Sequence, residues 1–256
     1  MNAYIECCQR YVGQQKTALI WEGKNGESEQ WSFEQLDVAS AQLANYFKSI
    51  GIQVGDCIAG LLPRTPELLI TILATWRIGA IYQPLFTAFE SKAIEHRVLT
   101  ANTKLIVTNA EQRPKLNHVE VKHILTVNAG TNLTSNETDF WQEAKQQSDQ
   151  CEAVLRSFDD DFLMMFTSGT TGLAKSVPVP LKAVLAFKGY MQHAVDLRED
   201  DSFWNLADPG WAYGLYYGIT GPLSLGHSII MDERTFSVDH AVEVIKKYRV
   251  SNLTGS

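Results

Sequence analysis

The segment with the clearest chemical signature is a run of hydroxyl residues and glycines followed by a lysine. It reads Thr167-Ser168-Gly169-Thr170-Thr171-Gly172, with Lys175 following after two further residues. Glycine lets backbone N–H groups approach an anion closely because it has no Cβ. Hydroxyls add donors, and lysine adds a compact positive charge suited to phosphate. These residue types favour a loop that binds polyphosphate over an ordinary polar turn.

The flanking residues indicate which kind of phosphate loop this is. Apolar residues 162–166 predict a buried strand before it, and residues 177–180, Val-Pro-Val-Pro, predict extended chain after it, because alternating prolines cannot begin a helix. A Walker A loop needs G-x4-G-K-[ST] followed at once by a helix. Counted from Gly169, its second glycine would fall on Ala174. We predict a loop that joins two strands; a helix directly after Lys175 would instead favour a P-loop kinase or NTPase.

The remaining elements predict an α/β fold with mostly parallel sheets flanked by helices. Residues 17–21 and 29–31 flank Asn25-Gly26 and predict a small N-terminal antiparallel hairpin,. Ser32 and Gln35 have capping-box spacing at the start of a helix,. Strands and helices then alternate from residue 58 to residue 108, which is typical of βαβ units,.

A polar stretch at residues 128–150 predicts a surface excursion with a short helix near residues 140–147. We expect residues 1–150 to form a first α/β subdomain. Residues 151–256, which include the predicted phosphate loop, would belong to a second one. Asn252-Leu253-Thr254 reads as the start of a buried strand shortly before the chain stops. We therefore expect this chain to be the N-terminal part of a longer protein.

Composition excludes several classes of protein. The 256 residues contain 22 Lys and Arg against 29 Asp and Glu, so the formal net charge is −7, which argues against a general nucleic-acid binder. The four cysteines lack C-x2-C spacing and the six histidines lack paired spacing, so we predict no metal site in the chain. Cysteines in this arrangement indicate reduced thiols in a cytoplasmic protein, and the histidines are interpreted as structural or surface residues.

One uncharged stretch, residues 209–231, is 23 residues long and could span a bilayer by length alone,. Gly221-Pro222 would interrupt a helix near its middle, and Asp208 and Asp232 flank the stretch,. We predict a buried element and no membrane partner.

In its two-strand setting, T-S-G-T-T-G-x-x-K resembles the signature loop of the acyl-adenylate-forming (AMP-binding) superfamily. This superfamily contains acyl-CoA synthetases, firefly luciferases and peptide-synthetase adenylation domains. Residues 205–226 resemble the corresponding region of acetyl-CoA synthetases, and residues 63–108 resemble the family's "R-x-P-E … R-I-G-A" region. Two departures follow the loop: Ser176 replaces the usual glycine, and residues 178–180 replace a Val-x-His-Thr-like stretch.

The resemblance implies an AMP-forming acyl-CoA synthetase. Its reaction is ATP-dependent activation of a small carboxylic acid, such as acetate, to acyl-AMP with release of pyrophosphate, followed by transfer to coenzyme A. The implied ATP phosphate-binding residues are Thr167, Ser168, Gly169, Thr170, Thr171, Gly172 and Lys175, and Lys175 is also the implied catalytic residue. Mg²⁺ would be held through the phosphates and by residues beyond this chain. In an enzyme of this family, residues 1–150 would be the first α/β subdomain of the N-terminal adenylating domain, and residues 151–256 the phosphate-loop and acyl-pocket portion of a second one. Because later family motifs are missing, we expect the chain alone to be inactive, and a non-catalytic nucleotide-binding fragment stays an alternative.

The resemblance also implies positions for the other two substrates. Trp211, Ala212 and Tyr213 would face the acyl group, and a bulky Tyr213 would leave room only for a short chain. The alternative is that these aromatic residues are simply core. Phe86 and Arg113 would contact coenzyme A, although an arginine beside Pro114 also fits a solvated loop residue.

Overall fold

The chain folds into strands and helices that alternate along most of its length. In this computed structural model, residues 1–131, 133–167 and 173–255 are described. The strands are β1 (Thr17–Glu22), β2 (Ser28–Ser32), β3 (Cys57–Leu61), β4 (Ile81–Pro84), β5 (Leu105–Asn109), β6 (His123–Val127), β7 (Glu137–Asp139), β8 (Asp161–Thr167), β9 (Lys175–Pro180), β10 (Phe203–Asn205), β11 (Ile229–Asp232) and β12 (Asn252–Thr254).

The helices are α1 (Ala3–Cys7), α2 (Phe33–Ser49), α3 (Pro66–Arg77), α4 (Ser91–Thr100), α5 (Phe140–Ala144), α6 (Ala183–His193), α7 (Ala212–Leu215), α8 (Gly221–Ser224) and α9 (Val238–Tyr248). Short 3-10 turns lie at Gln9–Tyr11 and Arg113–Leu116, and a π-helical turn lies at Tyr216–Thr220.

The chain forms two compact units that interleave along the sequence. The first contains Met1–Ile5, Val38–Pro63 and Glu67–Leu181, and the second contains Glu6–Asp37, Arg64–Pro66 and Lys182–Ser256. The division at residue 150 concerns the subdomains of an adenylating domain and stays a prediction.

Within the described residues, seven strands of the first unit form one sheet in the order β7-β6-β5-β3-β4-β8-β9. Neighbouring strands are parallel except for the antiparallel pair β8 and β9. Every residue of β3 is buried, which is typical of a parallel strand covered on both faces. Ile94 and Val98 of α4 pack against buried residues of β3, β5 and β6. The predicted α/β fold with a mostly parallel sheet is confirmed.

The second unit is built on two smaller sheets. β1 pairs with β2 antiparallel, which confirms the N-terminal hairpin, and β1 also pairs with β11 in parallel. β10 pairs with β12 in parallel, and Trp204 packs with Ile230, Ala241 and Val244 in one buried cluster.

The start of α2 follows the predicted capping box. The Ser32 backbone N–H donates to Gln35 Oε1 at 2.8 Å, and the Gln35 backbone N–H donates to Ser32 Oγ at 3.2 Å. Two backbone N–H groups at the N-terminus of α2 therefore each find a side-chain acceptor in the other residue of the pair.

The structure differs from the sequence prediction in two segments. β7 lies inside the polar stretch at residues 128–150 and extends the sheet through parallel pairing with β6. In the other segment Gly221-Pro222 does not interrupt the helical path, which runs from Ala212 to Ser224. The π-helical turn directly precedes α8, and Pro222 is the second residue of α8. No helix in the described parts of the chain is long and apolar enough to cross a membrane.

Candidate functional site

The predicted phosphate loop joins the two antiparallel strands β8 and β9. Thr167, the last residue of β8, lies opposite Lys175, the first residue of β9. Both side chains are exposed. Residues facing each other in an antiparallel pair have Cα atoms about 4.5–5.5 Å apart, so the backbone brings a hydroxyl and an ammonium group together. Ser168, Gly169, Thr170, Thr171 and Gly172 lie outside the described residues.

The strand after the loop carries two prolines at an edge of the sheet. β9 is the terminal strand of the sheet order, and Pro178 and Pro180 lie opposite Met164 and Asp161. Proline cannot donate a ladder hydrogen bond, so it is confined to such edge strands. Lys175 therefore begins a strand, and the helix that a P-loop kinase or NTPase requires at this position is not there.

Three predicted site residues follow the carboxyl ends of parallel strands. Phe86 follows β4, Arg113 follows β5 and Thr167 ends β8. Because β5, β3, β4 and β8 are adjacent and parallel, these ends meet at one edge of the sheet. The chain leaves β3 toward β4 and leaves β5 toward β6, on opposite sides. Such a switch in direction is where open α/β sheets bind their ligands.

Arg113 is paired with a carboxylate. Its Nε lies 3.0 Å from Glu137 Oε2, and the two side chains are 17% and 5% exposed. Burial acts to raise the pKa of Glu137, but hydrogen bonds from Thr126 and Arg113 outweigh it and hold the pKa below its ordinary value. The interpretation of Arg113 as a solvated loop residue is wrong, because β7 brings Glu137 to it.

The loops that carry Phe86 and Arg113 are linked to each other. Lys115, two residues after Arg113, donates from Nζ to the backbone carbonyl of Thr87. The Phe86 ring meets the Phe89 ring edge-on, with centroids 5.7 Å apart. Contact of Phe86 and Arg113 with coenzyme A stays a prediction.

The predicted acyl-pocket residues lie where the helical segment at residues 212–224 begins. The Trp211 side chain is 46% exposed, and Ala212 and Tyr213 are half-buried. The Tyr213 ring packs against that of Tyr217 with centroids 5.3 Å apart, and Tyr217 stacks on Tyr190 at 4.1 Å. Burial raises the pKa of the Tyr213 phenol. A pocket wall and a packed cluster both fit this arrangement, so the acyl-pocket assignment stays a prediction.

A tight turn positions the start of this segment. The Gly210 backbone N–H donates to Asp208 Oδ1 at 2.7 Å, and burial raises the pKa of the Asp208 carboxyl. A Cβ on Gly214 would lie 2.2 Å from the Asp208 carbonyl oxygen. Only glycine therefore allows α7 to approach the turn this closely.

Comparison of the sequence with known protein families shows which family this chain belongs to. The sequence pattern of the family described as "AMP-binding enzyme" matches residues 8–256. The chain belongs to this family.

Individual members of the AMP-binding family are also similar. An acetyl-coenzyme A synthetase of Deinococcus radiodurans is 32% identical over 259 residues, which cover 91% of this chain and 39% of the relative. One of Rubrobacter xylanophilus is 30% identical over 287 residues, covering 99% and 43%. The crystal structure of Brucella canis acyl-CoA synthetase matches with a TM-score of 0.96 and 49% identity, over 100% of this chain and 47% of that one. The chain spans about two fifths of the length of the two acetyl-coenzyme A synthetases.

Sequence reasoning missed two residues at the sheet edge of this AMP-binding chain. Glu137 pairs with Arg113, and His96, interpreted as structural or surface, bonds to the carbonyl of Ala174 just before Lys175. Glu137 lies far along the chain from Arg113, and His96 lies 78 residues from Ala174, so no local pattern could have indicated either pair.

Proposed function

We propose that the protein containing this chain is an AMP-forming acid–CoA ligase that activates a short carboxylic acid. The observation that carries the proposal is the β8–β9 hairpin, which holds Thr167 and Lys175 opposite each other at the carboxyl edge of a parallel sheet. Membership of the AMP-binding family and similarity to acetyl-coenzyme A synthetases support the same activity.

In the first step, a carboxylate oxygen of the acid attacks the α-phosphorus of ATP. The bond from that phosphorus to the bridging oxygen breaks, and pyrophosphate leaves. An anion must approach a polyanion, so positioning and charge stabilisation account for most of the catalysis. Lys175 supplies positive charge and Thr167 a hydroxyl donor to the β- and γ-phosphates, and residues 168–172 are assigned to the same phosphates by sequence.

In the second step, the sulfur of coenzyme A attacks the acyl carbon. The bond from this carbon to the AMP oxygen breaks, AMP leaves, the thioester forms and the thiol proton is released. Phe86 and Arg113 are our candidates for binding coenzyme A. Since Arg113 pairs with Glu137, it would hold a phosphate while this partner neutralises part of its charge.

Magnesium enters the proposal only with ATP. In residues 1–131, 133–167 and 173–255, no group of three or more His, Cys, Asp or Glu side chains is placed to hold a metal ion. Mg²⁺ would bind through the phosphates of ATP, whose charge it neutralises, and we assign no step to it.

The acid is proposed to be short because Tyr213 follows Gly210-Trp211-Ala212. A tyrosine ring at the acyl position would occupy volume that a longer chain needs. Acetate and propionate are the substrates that we expect.

The test is exchange of labelled pyrophosphate into ATP by the protein that contains this chain, with acetate, propionate or octanoate as the acid. We expect exchange that depends on a short acid, and loss of about 10- to 100-fold in kcat/KM for ATP in Lys175→Ala. Lys104→Ala is the matched control. Lys104 directly precedes β5, at the amino ends of the parallel strands and therefore away from the carboxyl ends where Lys175 lies.

Three outcomes would overturn the proposal. Production of ADP from ATP and a hydroxyl acceptor, without exchange, would establish a kinase. ATP binding without exchange for any acid would establish a non-catalytic nucleotide-binding protein. Equal losses in Lys175→Ala and Lys104→Ala would remove Lys175 from the site.

A cytoplasmic location and the absence of nucleic-acid and membrane partners stay predictions from composition.

A further inference from the structure

A histidine on α4 bonds to the backbone that leads into Lys175. His96 Nε2 lies 2.8 Å from the carbonyl oxygen of Ala174. A carbonyl oxygen only accepts, so Nε2 carries the hydrogen and donates it. The carbonyl belongs to the peptide group that joins Ala174 to Lys175, so the bond restrains the rotation and position of that peptide.

The next residue of the same helix contacts the other strand of the hairpin. The Arg97 guanidinium carbon lies 5.6 Å from the centroid of the Phe166 ring, one residue before Thr167. It also lies 4.1 Å from the Phe89 ring centroid, a distance at which a cation is attracted to an aromatic face. Adjacent residues of α4 thus contact Phe166 of β8 and Ala174 directly before β9, the two residues next to the Thr167–Lys175 pair.

The helix that presents these side chains is itself firmly packed. Ile94 and Val98 are buried in a cluster with residues of β3, β5 and β6. Gln83 of β4 donates from Nε2 to the Arg97 carbonyl at 3.1 Å, and Arg97 Nη1 donates to the Ala93 carbonyl at 2.8 Å. His96 therefore bonds to Ala174 from a fixed support, whereas among the described strands β9 is paired on one side only.

We propose that His96 is a positioning residue for Lys175. By fixing the peptide before Lys175, it holds the ammonium group where the phosphates of ATP bind, and it does not contact ATP itself. This inference rests on the proposed function, because it assumes that Lys175 binds phosphate.

The variants are His96→Leu, which removes the donor, and His96→Gln, whose amide nitrogen can donate at a similar reach. One neutral hydrogen bond contributes about 0.5–1.5 kcal/mol, so we expect His96→Leu to raise the Kd for ATP about two- to twelvefold. His96→Gln should restore most of the affinity. His193→Leu is the matched control, an exposed histidine in the last turn of α6.

A double-mutant cycle separates positioning from general support of the fold. The Kd for ATP is measured by calorimetry for the wild type, His96→Leu, Lys175→Ala and the double variant. If His96 acts through Lys175, His96→Leu should weaken binding in the wild-type background and change it by less than about twofold beside Lys175→Ala.

The outcomes distinguish this inference from the function on which it rests. Additive effects in the cycle, no effect of His96→Leu on the Kd, or failure of His96→Gln to restore binding would each show that His96 does not position Lys175. ATP binding without acid-dependent exchange would overturn the proposed ligase activity alone. A wild-type protein that does not bind ATP would overturn both.

Discussion

The hairpin of β8 and β9 and the aromatic segment after β10 differ in what surrounds their candidate side chains. Thr167 and Lys175 project from strand ends into solvent. Tyr213 and Tyr217 pack against each other, and Tyr217 also stacks on Tyr190. At the hairpin the backbone pairing places the functional groups, whereas in the aromatic segment the side chains place one another.

This difference predicts how mutations divide between binding and stability. An exposed side chain held by backbone pairing can be removed with little effect on folding, since surface substitutions shift stability by about 0.5 kcal/mol or less. Removing a packed aromatic ring loses contacts whichever role the ring has in catalysis. Three variants test this contrast, in order of decreasing expected effect, and a fourth tests a buried carboxylate outside both regions.

Gly214→Ala should have the largest effect, and it should fall on stability. Its Cβ would lie 2.2 Å from the Asp208 carbonyl oxygen and 2.7 Å from that of Ala207. Backbone atoms cannot move aside easily, so we expect a loss of about 3 kcal/mol in the free energy of unfolding, measured by urea denaturation.

Gly189→Ala is the control for this experiment, because a Cβ there meets nothing within 4 Å in the interior of α6. It should stabilise the protein by up to about 1 kcal/mol. Equal stability of the two alanine variants would show that the turn at Asp208 is not as tight as described.

Lys175→Ala should have the opposite profile. Loss of a charged hydrogen bond to phosphate should weaken ATP binding by about 1.5–3 kcal/mol, a change that calorimetry can measure. The midpoint of thermal unfolding without ATP should stay close to that of the wild type, because the side chain is exposed at a strand end. A large fall in this midpoint with unchanged ATP affinity would make Lys175 structural and remove the contrast between the regions.

Tyr213→Ala should change both substrate preference and stability. In the wild type, kcat/KM should fall sharply beyond about two to four carbons in a series of acids, and the variant should move this limit to longer acids. Each methylene that fits a pocket contributes about 0.8 kcal/mol, or about fourfold in kcat/KM. Tyr213→Phe keeps the ring and should keep the limit. Lower stability of Tyr213→Ala with the same chain-length preference would assign Tyr213 to the core.

The smallest effect should come from a buried carboxylate at the end of β1, in the second unit. Burial acts to raise the pKa of Glu22, but hydrogen bonds from Lys247, Tyr248 and Ser28 outweigh it, so its pKa lies below the ordinary value of 4.5. The folded state therefore favours the charged form. The resulting stability is present above pH 4.5 and is lost as pH falls through the depressed folded pKa,.

Thermal unfolding between about pH 7 and pH 3 tests this expectation. Glu22→Gln should be less stable than the wild type at about pH 7, and the two midpoints should converge as the pH falls. Glu199→Gln, at an exposed position of the same unit, should follow the wild-type curve. A constant difference between Glu22→Gln and the wild type at every pH would show that the Glu22 charge does not contribute to stability.

Signals within a few residues were enough for much of the fold and for the setting of the loop. The capping box at Ser32 and Gln35 depends on contacts between residues three apart,. Pro178 and Pro180 likewise exclude a helix after Lys175 by their own backbone geometry. The prediction that the loop joins two strands needed no long-range information, and the pairing of β8 with β9 confirms it.

Pairing between distant residues decided the rest. β1 pairs with β11 from the far end of the chain, and β7 joins the sheet from a polar stretch because β6 offers it an edge. Glu137, the partner of Arg113, and His96, the partner of the peptide before Lys175, come from elements with no fixed spacing to them. Hydrophobic periodicity records which face of an element is buried but not which element covers it. Only the packed sheet brings these groups together, because no pattern in the sequence between two distant residues specifies that they will meet.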